Sequence, residues 1–191
     1  MSRESLHASA TELLTGWRAP DQDQDALRHA YLAFLAATDD ACLRACAAGH
    51  LTASAIVFDT ARTHVLLTLH PRVGAWIQLG GHCEPEDATL RDAALREARE
   101  ESGIPDLVLV GPIAQLHTHP ITCSLGVPTR HLDVRFVAVA PATADGSLPA
   151  IVCSDESVDL RWWPVDDLPA DTRDSDVARL IELGRTASAR T

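Results

Sequence analysis

The strongest constraint on this chain is a helix that is acidic on the face it should bury. Residues 87–102 read as helical, with Asp87 placed to cap the start and Gly103 to stop the end. At roughly 100° per residue, Glu97, Glu100 and Glu101 fall within one sector of about 100°. Leu90 and Ala94, which should face a sheet, share that sector with Glu97 and Glu101. Carboxylates gathered beside apolar surface repel one another and lose solvation unless a cation or basic partner neutralises them. The ordinary use of such a run is a solvated face, with Arg96 and Arg99 pairing with the glutamates. Here the apolar stripe runs under the glutamates and a glycine pair, Gly80-Gly81, precedes the helix. Both favour a metal site, and oxygen-rich clusters of this kind suit Mg²⁺ or Mn²⁺.

The rest of the chain supplies a setting for that helix. Residues 4–48 read as helical, with Leu27, Tyr31, Phe34 and Leu35 at helical spacing and Asp39 or Asp40 placed to cap a further short helix ending near Gly49. From Leu51 the texture changes to strands. Residues 51–58 and 64–70 are apolar and β-branched, separated by a hairpin turn at 59–63. Residues 74–81 give a third strand, and strands resume at 107–117, 129–140 and 160–163. Residues 142–148 read as a surface loop, and a last helix falls near 174–188.

Composition narrows the chemistry. All 16 basic side chains are arginine, and there is no lysine. That excludes a P-loop, a protein-kinase fold and Schiff-base or lysine-base catalysis. Sixteen arginines against 27 Asp plus Glu leave a net charge of −11, which excludes a large basic face for duplex nucleic acid. A small phosphorylated ligand remains possible, with a divalent cation to offset nearby carboxylates. Five cysteines, no signal-peptide core and no membrane-length apolar stretch read as a cytoplasmic protein with reduced thiols.

The segment Arg96-Glu97-Ala98-Arg99-Glu100-Glu101-Ser102-Gly103-Ile104, with the glycine loop before it, resembles the Nudix box of the Nudix hydrolase family. Arg96, Glu97, Glu100, Glu101, Gly103 and Ile104 match the pattern residue for residue. Asp87 stands where the family has a loop glutamate, and one extra residue separates it from Arg96. The resemblance implies an α+β fold, a Nudix-like α/β/α sandwich with a mixed sheet, spanning 49–191 behind a helical extension at 1–48. It implies hydrolysis of a small-molecule diphosphate substrate with Mg²⁺ or Mn²⁺ as cofactor. Glu97, Glu100 and Glu101, with Gly81, would hold the metal, and Arg96 would orient a carboxylate. A carboxylate within reach of a metal-bound water can take its proton. Glu100 or Glu101 is such a base, and a base from a loop outside the box is the third possibility, for which Glu156 is the candidate. The extension is a natural place for a homodimer contact.

Several other residues point towards a ligand. His82 follows the glycine pair and should stand at the mouth of the site. His131, Asp133 and Arg135 lie on one face of a strand, lining a pocket or forming an internal network. Arg135 and Arg72 are the arginines to test for phosphate, since the guanidinium fork suits bidentate contacts. Trp76 precedes the glycine loop and offers a stacking surface, while Trp163 reads as core. Cys83, Trp76 and Glu97 faintly resemble isopentenyl-diphosphate isomerases, a branch of the same fold, but the full glutamate pattern argues for hydrolysis. A Nudix-fold binding module without turnover is the alternative from another class. The spacing of His117, His119 and Cys123 suits zinc, but no fourth ligand is near and local packing is the better reading.

Overall fold

The structure, a computed structural model, describes residues 3–122, 126, 128–155, 157–170, 172 and 174–186. Two helices open the chain, α1 (Arg3–Gly16) and α2 (Gln22–Ala37). Asp21 caps α2 by accepting from the Gln24 amide at 2.8 Å. No third helix follows. Residues 38–49 instead run through turns closed by short-range bonds, Ala41 to Thr38, Leu43 to Asp40 and Cys46 to Leu43, and none of these propagates into a helix.

The sheet has seven strands. They are β1 (His50–Phe58), β2 (His64–His70), β3 (Ala75–Ile77), β4 (Leu79–His82), β5 (Val108–Thr122), β6 (Pro128–Val139) and β7 (Asp159–Pro164). Its main path runs β3-β2-β1-β6-β5, with β7 on β2 and β4 on β1. Among the described strand pairs β1–β6 is parallel and the others antiparallel, so the sheet is mixed. The turn between β1 and β2 is built by Asp59, whose carboxylate accepts from the backbone amides of Ala61, Thr63 and His64. β1 and β2 pair at Val57–Phe58 with Val65–Leu66. The single strand expected at 74–81 is therefore two strands, one on each partner: β3 pairs with β2 and β4 with β1. β5 continues through Pro120 to Thr122, which an edge strand tolerates.

Helix α3 (Leu90–Ser102) and the N-terminal helices cover one face of the sheet, and α4 (Asp174–Thr186) covers the other. Leu6, Ala10 and Leu14 of α1 and Tyr31 and Leu35 of α2 share one apolar cluster with Leu51, Ala53, Leu90, Val134 and Phe136. The opposite cluster joins Ile56, Phe58, Val65, Leu67 and Trp76 to Val177, Leu180 and Ile181. The alternation along β1 explains this division, since odd residues face α3 and even ones face away.

The N-terminal helices are tied to the sheet by polar bonds as well. The Gln24 side chain donates to the Leu116 carbonyl at 3.0 Å and accepts from the Leu116 amide at 2.6 Å, pairing backbone of edge strand β5. The Trp17 indole donates to the Ile113 carbonyl at 2.9 Å, and the Tyr31 hydroxyl to that of His117 at 2.7 Å. Among the described residues no helix is long and apolar enough to cross a membrane.

Candidate metal centre

Thr89, not Asp87, caps α3. Its hydroxyl oxygen accepts from the Asp92 amide at 3.1 Å. Asp87 is buried and turned towards the centre of the site, where Arg96 donates to both its oxygens, Nε at 3.1 Å and Nη2 at 3.0 Å. The other Asp87 partner is the Glu84 amide at 2.8 Å, which closes the loop after β4. At its far end α3 stops at Gly103, whose φ of 70° is left-handed and whose amide bonds the Arg99 carbonyl.

Arg96 organises the cluster. Besides Asp87 it reaches Glu97 at 3.1 Å, Glu100 at 3.0 Å and the His82 carbonyl at 2.9 Å. Burial alone would lower the Arg96 pKa, but the bonds to Asp87 and the charges of Glu97, Asp87 and Glu84 outweigh it and raise the pKa above the ordinary arginine value. The guanidinium is thus a permanent charge that locks the loop and helix together. Glu101, only 6% exposed, accepts from the Gly80 amide at 2.9 Å. A methyl group at Gly81 would stand 2.8 Å from the Glu97 carboxylate carbon, so the missing side chain leaves room for that carboxylate. Gly80 is required for another reason. Its φ is +147°, and a side chain there would lie 2.4 Å from the Ser54 α-carbon.

Glu97 thus touches Gly81, Glu101 bonds Gly80, and Arg96 lies between Glu97 and Glu100, which gathers the three side chains around the β4–α3 junction. Hard carboxylate oxygens of this number, one exposed and two largely buried, fit Mg²⁺ or Mn²⁺. Glu156, the loop base expected from the sequence, lies outside the described residues, as does Cys123.

The polar face of the sheet holds a different arrangement from the one expected. Arg135 is 3% exposed and its donors are engaged: Nε with Asp133 at 2.9 Å, Nη1 with Gln115 at 2.9 Å, and Nη2 with His117 at 3.0 Å and Asp176 at 3.1 Å. Asp133 accepts from Thr52, Ser54 and Gln78 as well. Burial would raise the Asp133 pKa, but the Arg135 charge and the bonds from Arg135 and Ser54 bring it below the ordinary value. The pair is an internal network, and Arg135 does not reach out for phosphate. Arg72, by contrast, is exposed on the turn between β2 and β3, and its charge is felt at His82. Trp76 is 6% exposed and packs edge-on against Trp163 at 5.2 Å, so it is core and not a stacking platform. Cys83 faces the apolar cluster shared by α1, α2 and α3, its thiol near the Leu51 carbonyl and its pKa pushed up first by burial. An isomerase-like acid–base role for that thiol has no support in this position.

His82 and His131 are half-buried, and with His50 they form a group that residue spacing did not disclose. The ring–ring separations are 5.0 Å for His50–His82, 4.9 Å for His50–His131 and 5.0 Å for His82–His131. Burial, first, and neighbouring positive groups lower the His82 pKa to about 4 and that of His131 to about 3. The register places His50 of β1 beside His131 of β6, with His82 of β4 opposite Thr52.

A mixed sheet between helix layers, with glutamates of α3 beside the glycine loop, defines an α/β/α sandwich. The NUDIX domain profile matches residues 49–183, and the chain belongs to the Nudix family. Among solved structures it is similar to a NUDIX-family hydrolase from Clostridium perfringens, with 24% identity, a TM-score of 0.54, and coverage of 71% of this chain and 96% of that one. It is also similar to the dihydroneopterin triphosphate pyrophosphohydrolase of E. coli, with 21% identity, a TM-score of 0.52, and coverage of 69% and 92%. A C. elegans Ap4A hydrolase matches with 19% identity, a TM-score of 0.51, and coverage of 70% and 93%. At these identities the likeness is one of fold. No curated protein matches the chain.

Proposed function

We propose that the protein is a divalent-metal-dependent hydrolase that cleaves a phosphoanhydride in a nucleoside-diphosphate-linked or related diphosphate substrate. The observation that carries the reading is the Arg96 hub. One guanidinium fixes Asp87, Glu97 and Glu100 and the carbonyl before Cys83, while Gly80 positions Glu101. A binding module without turnover has no use for three oriented carboxylates.

Glu97, Glu100, Glu101 and the Gly81 carbonyl would hold Mg²⁺ or Mn²⁺. When bound, the cation neutralises diphosphate oxygens and lowers the pKa of a coordinated water. The chain's own contribution is to place acceptors for that water's proton. Glu100 is exposed at the end of the Arg96 bridge and Glu101 is buried against Gly80; Glu156, outside the described residues, is the third candidate. Arg72 supplies the accessible charge for a ligand phosphate, and that charge is felt at His82. The catalytic unit is residues 49–191, with 1–48 as an extension packed on it. Two of the structural neighbours are named for phosphoanhydride substrates, a pteridine triphosphate and a dinucleoside tetraphosphate, which supports a diphosphate-containing ligand.

The test is a panel of nucleoside diphosphate derivatives and dinucleoside polyphosphates with Mg²⁺ or Mn²⁺, comparing the wild type with Glu101→Gln. Metal-dependent cleavage that drops at least about a hundredfold in the variant is the expected result. Ligand binding without any product would favour the binding module.

A further inference from the structure

We infer that His50, His82 and His131 form a second metal site, a trihistidine centre for Zn²⁺, separate from the carboxylate cluster. Three strands of the sheet each contribute one ring: β1, β4 and β6. Their potential ligand atoms all lie within 4.8 Å of one another. The Nε2 atoms of all three are buried and have no hydrogen-bond partner. A buried polar atom without a partner is unfavourable, and three converging on one point is not what packing alone selects.

The tautomer is settled for one ring. His50 Nδ1 lies 3.3 Å from the Cys46 carbonyl, so Nδ1 carries the proton and Nε2 keeps a free lone pair. A backbone carbonyl behind a metal-ligating histidine is the usual way of fixing ring and tautomer. Burial also keeps the imidazoles neutral, as ligands must be. Three neutral nitrogens suit Zn²⁺, where imidazole binds at about 2.0–2.1 Å, and are poor ligands for Mg²⁺. Tetrahedral geometry at that bond length puts nitrogens about 3.3 Å apart, so small ring rotations close the site. Three protein ligands leave a fourth position for water or a substrate oxygen.

The site is next to the carboxylate cluster but does not share its ligands. His82 lends its ring to one centre, while its carbonyl accepts from Arg96 in the other. A cation here would clip three strands together.

The test uses the full chain, loaded with Zn²⁺ and desalted, with metal content measured by mass spectrometry. One retained equivalent is expected in the wild type and in Glu97→Gln/Glu101→Gln, which leaves the trihistidine centre whole. His50→Gln and His131→Ala should each weaken Zn²⁺ binding by more than about tenfold. X-ray absorption of the Zn²⁺-loaded wild type, which needs no variant to fold, should show imidazole ligation at about 2.0–2.1 Å. Zinc retention that disappears with Glu97→Gln/Glu101→Gln but survives His131→Ala would overturn the assignment. So would carboxylate-only ligation, or inorganic phosphate binding that depends on His50 while zinc does not bind. The hydrolase reading fails on a different result, the lack of product with Mg²⁺ or Mn²⁺.

Discussion

Gly81 lies so close to Glu97 that a β-carbon on the glycine would meet three atoms of the carboxylate group at 2.8–2.9 Å. The atoms met are the far end of a side chain that can swing aside, so Gly81→Ala should fold with little loss of stability. The displaced carboxylate, however, is one expected to hold the cation. The variant should therefore need at least about tenfold more Mg²⁺ for half-maximal activity, read from a metal titration. Gly80→Ala should behave in the opposite sense. Its β-carbon meets Ser54 backbone and its φ of +147° is unfavourable for alanine, so thermal unfolding should fall by several degrees.

The two arginines expected to hold phosphate should now separate. Arg135→Gln removes the positive charge from a buried pair, leaving Asp133 without its main partner, and breaking such a pair costs about 3–5 kcal/mol. Denaturant unfolding should register the loss directly. Arg72 is exposed, so Arg72→Gln should leave stability within about 0.5 kcal/mol while raising KM. A raised KM with unchanged stability in Arg135→Gln would show that its network is dispensable and its role is in binding.

Local chemistry made much of this legible in the sequence. The strand at 64–70, the stop at Gly103 and the carboxylate face of α3 follow from β-branched runs, glycine's left-handed freedom and helical periodicity. What escaped depended on long-range register. Nothing in their spacing marks His50, His82 and His131 as neighbours, because they meet only when β1 lies parallel to β6 and antiparallel to β4. Asp87 looked like a helix cap because an aspartate before an apolar run commonly is one; it lost that role to Thr89 once Arg96 drew it inwards. Arg135 looked available because alternation reveals which face a residue occupies, not which partners await it there. The series of turns at 38–49 was missed for a similar reason: its acidic start resembles a cap, but its chain folds back so that the Leu51 amide bonds the Ala41 carbonyl.

The N-terminal helices should prove integral to stability. Leu14 is fully buried against the sheet, and Leu14→Ala should cost about 2–5 kcal/mol. Gln24→Ala deletes both bonds to Leu116 on edge strand β5, for a smaller loss of about 1–3 kcal/mol. Both are read from urea unfolding midpoints. An unchanged midpoint in both variants would mean that the helices are not part of the cooperative unit.

Thiol reactivity should divide the cysteines by burial. Cys153 is exposed, whereas Cys42 sits in the apolar cluster, and burial pushes its pKa from 9.0 up to about 12. Some burial, first, and the charges of Asp159, Asp155 and Glu101 raise the Cys153 pKa as well, so exposure is what sets it apart. Since the thiolate is the reactive form, Cys153 should react with a disulfide reagent at pH 8 faster than Cys42, which should react only on unfolding. The Cys42 shift sets an alkaline limit on stability. The unfolded chain releases the Cys42 proton from about pH 9, while the folded chain holds it until about pH 12. The stabilisation is therefore whole below pH 9 and declines as pH rises through that window. Cys42→Ala should flatten this part of the curve of unfolding midpoint against pH. A decline of the same steepness in the variant would trace the alkaline loss to other groups.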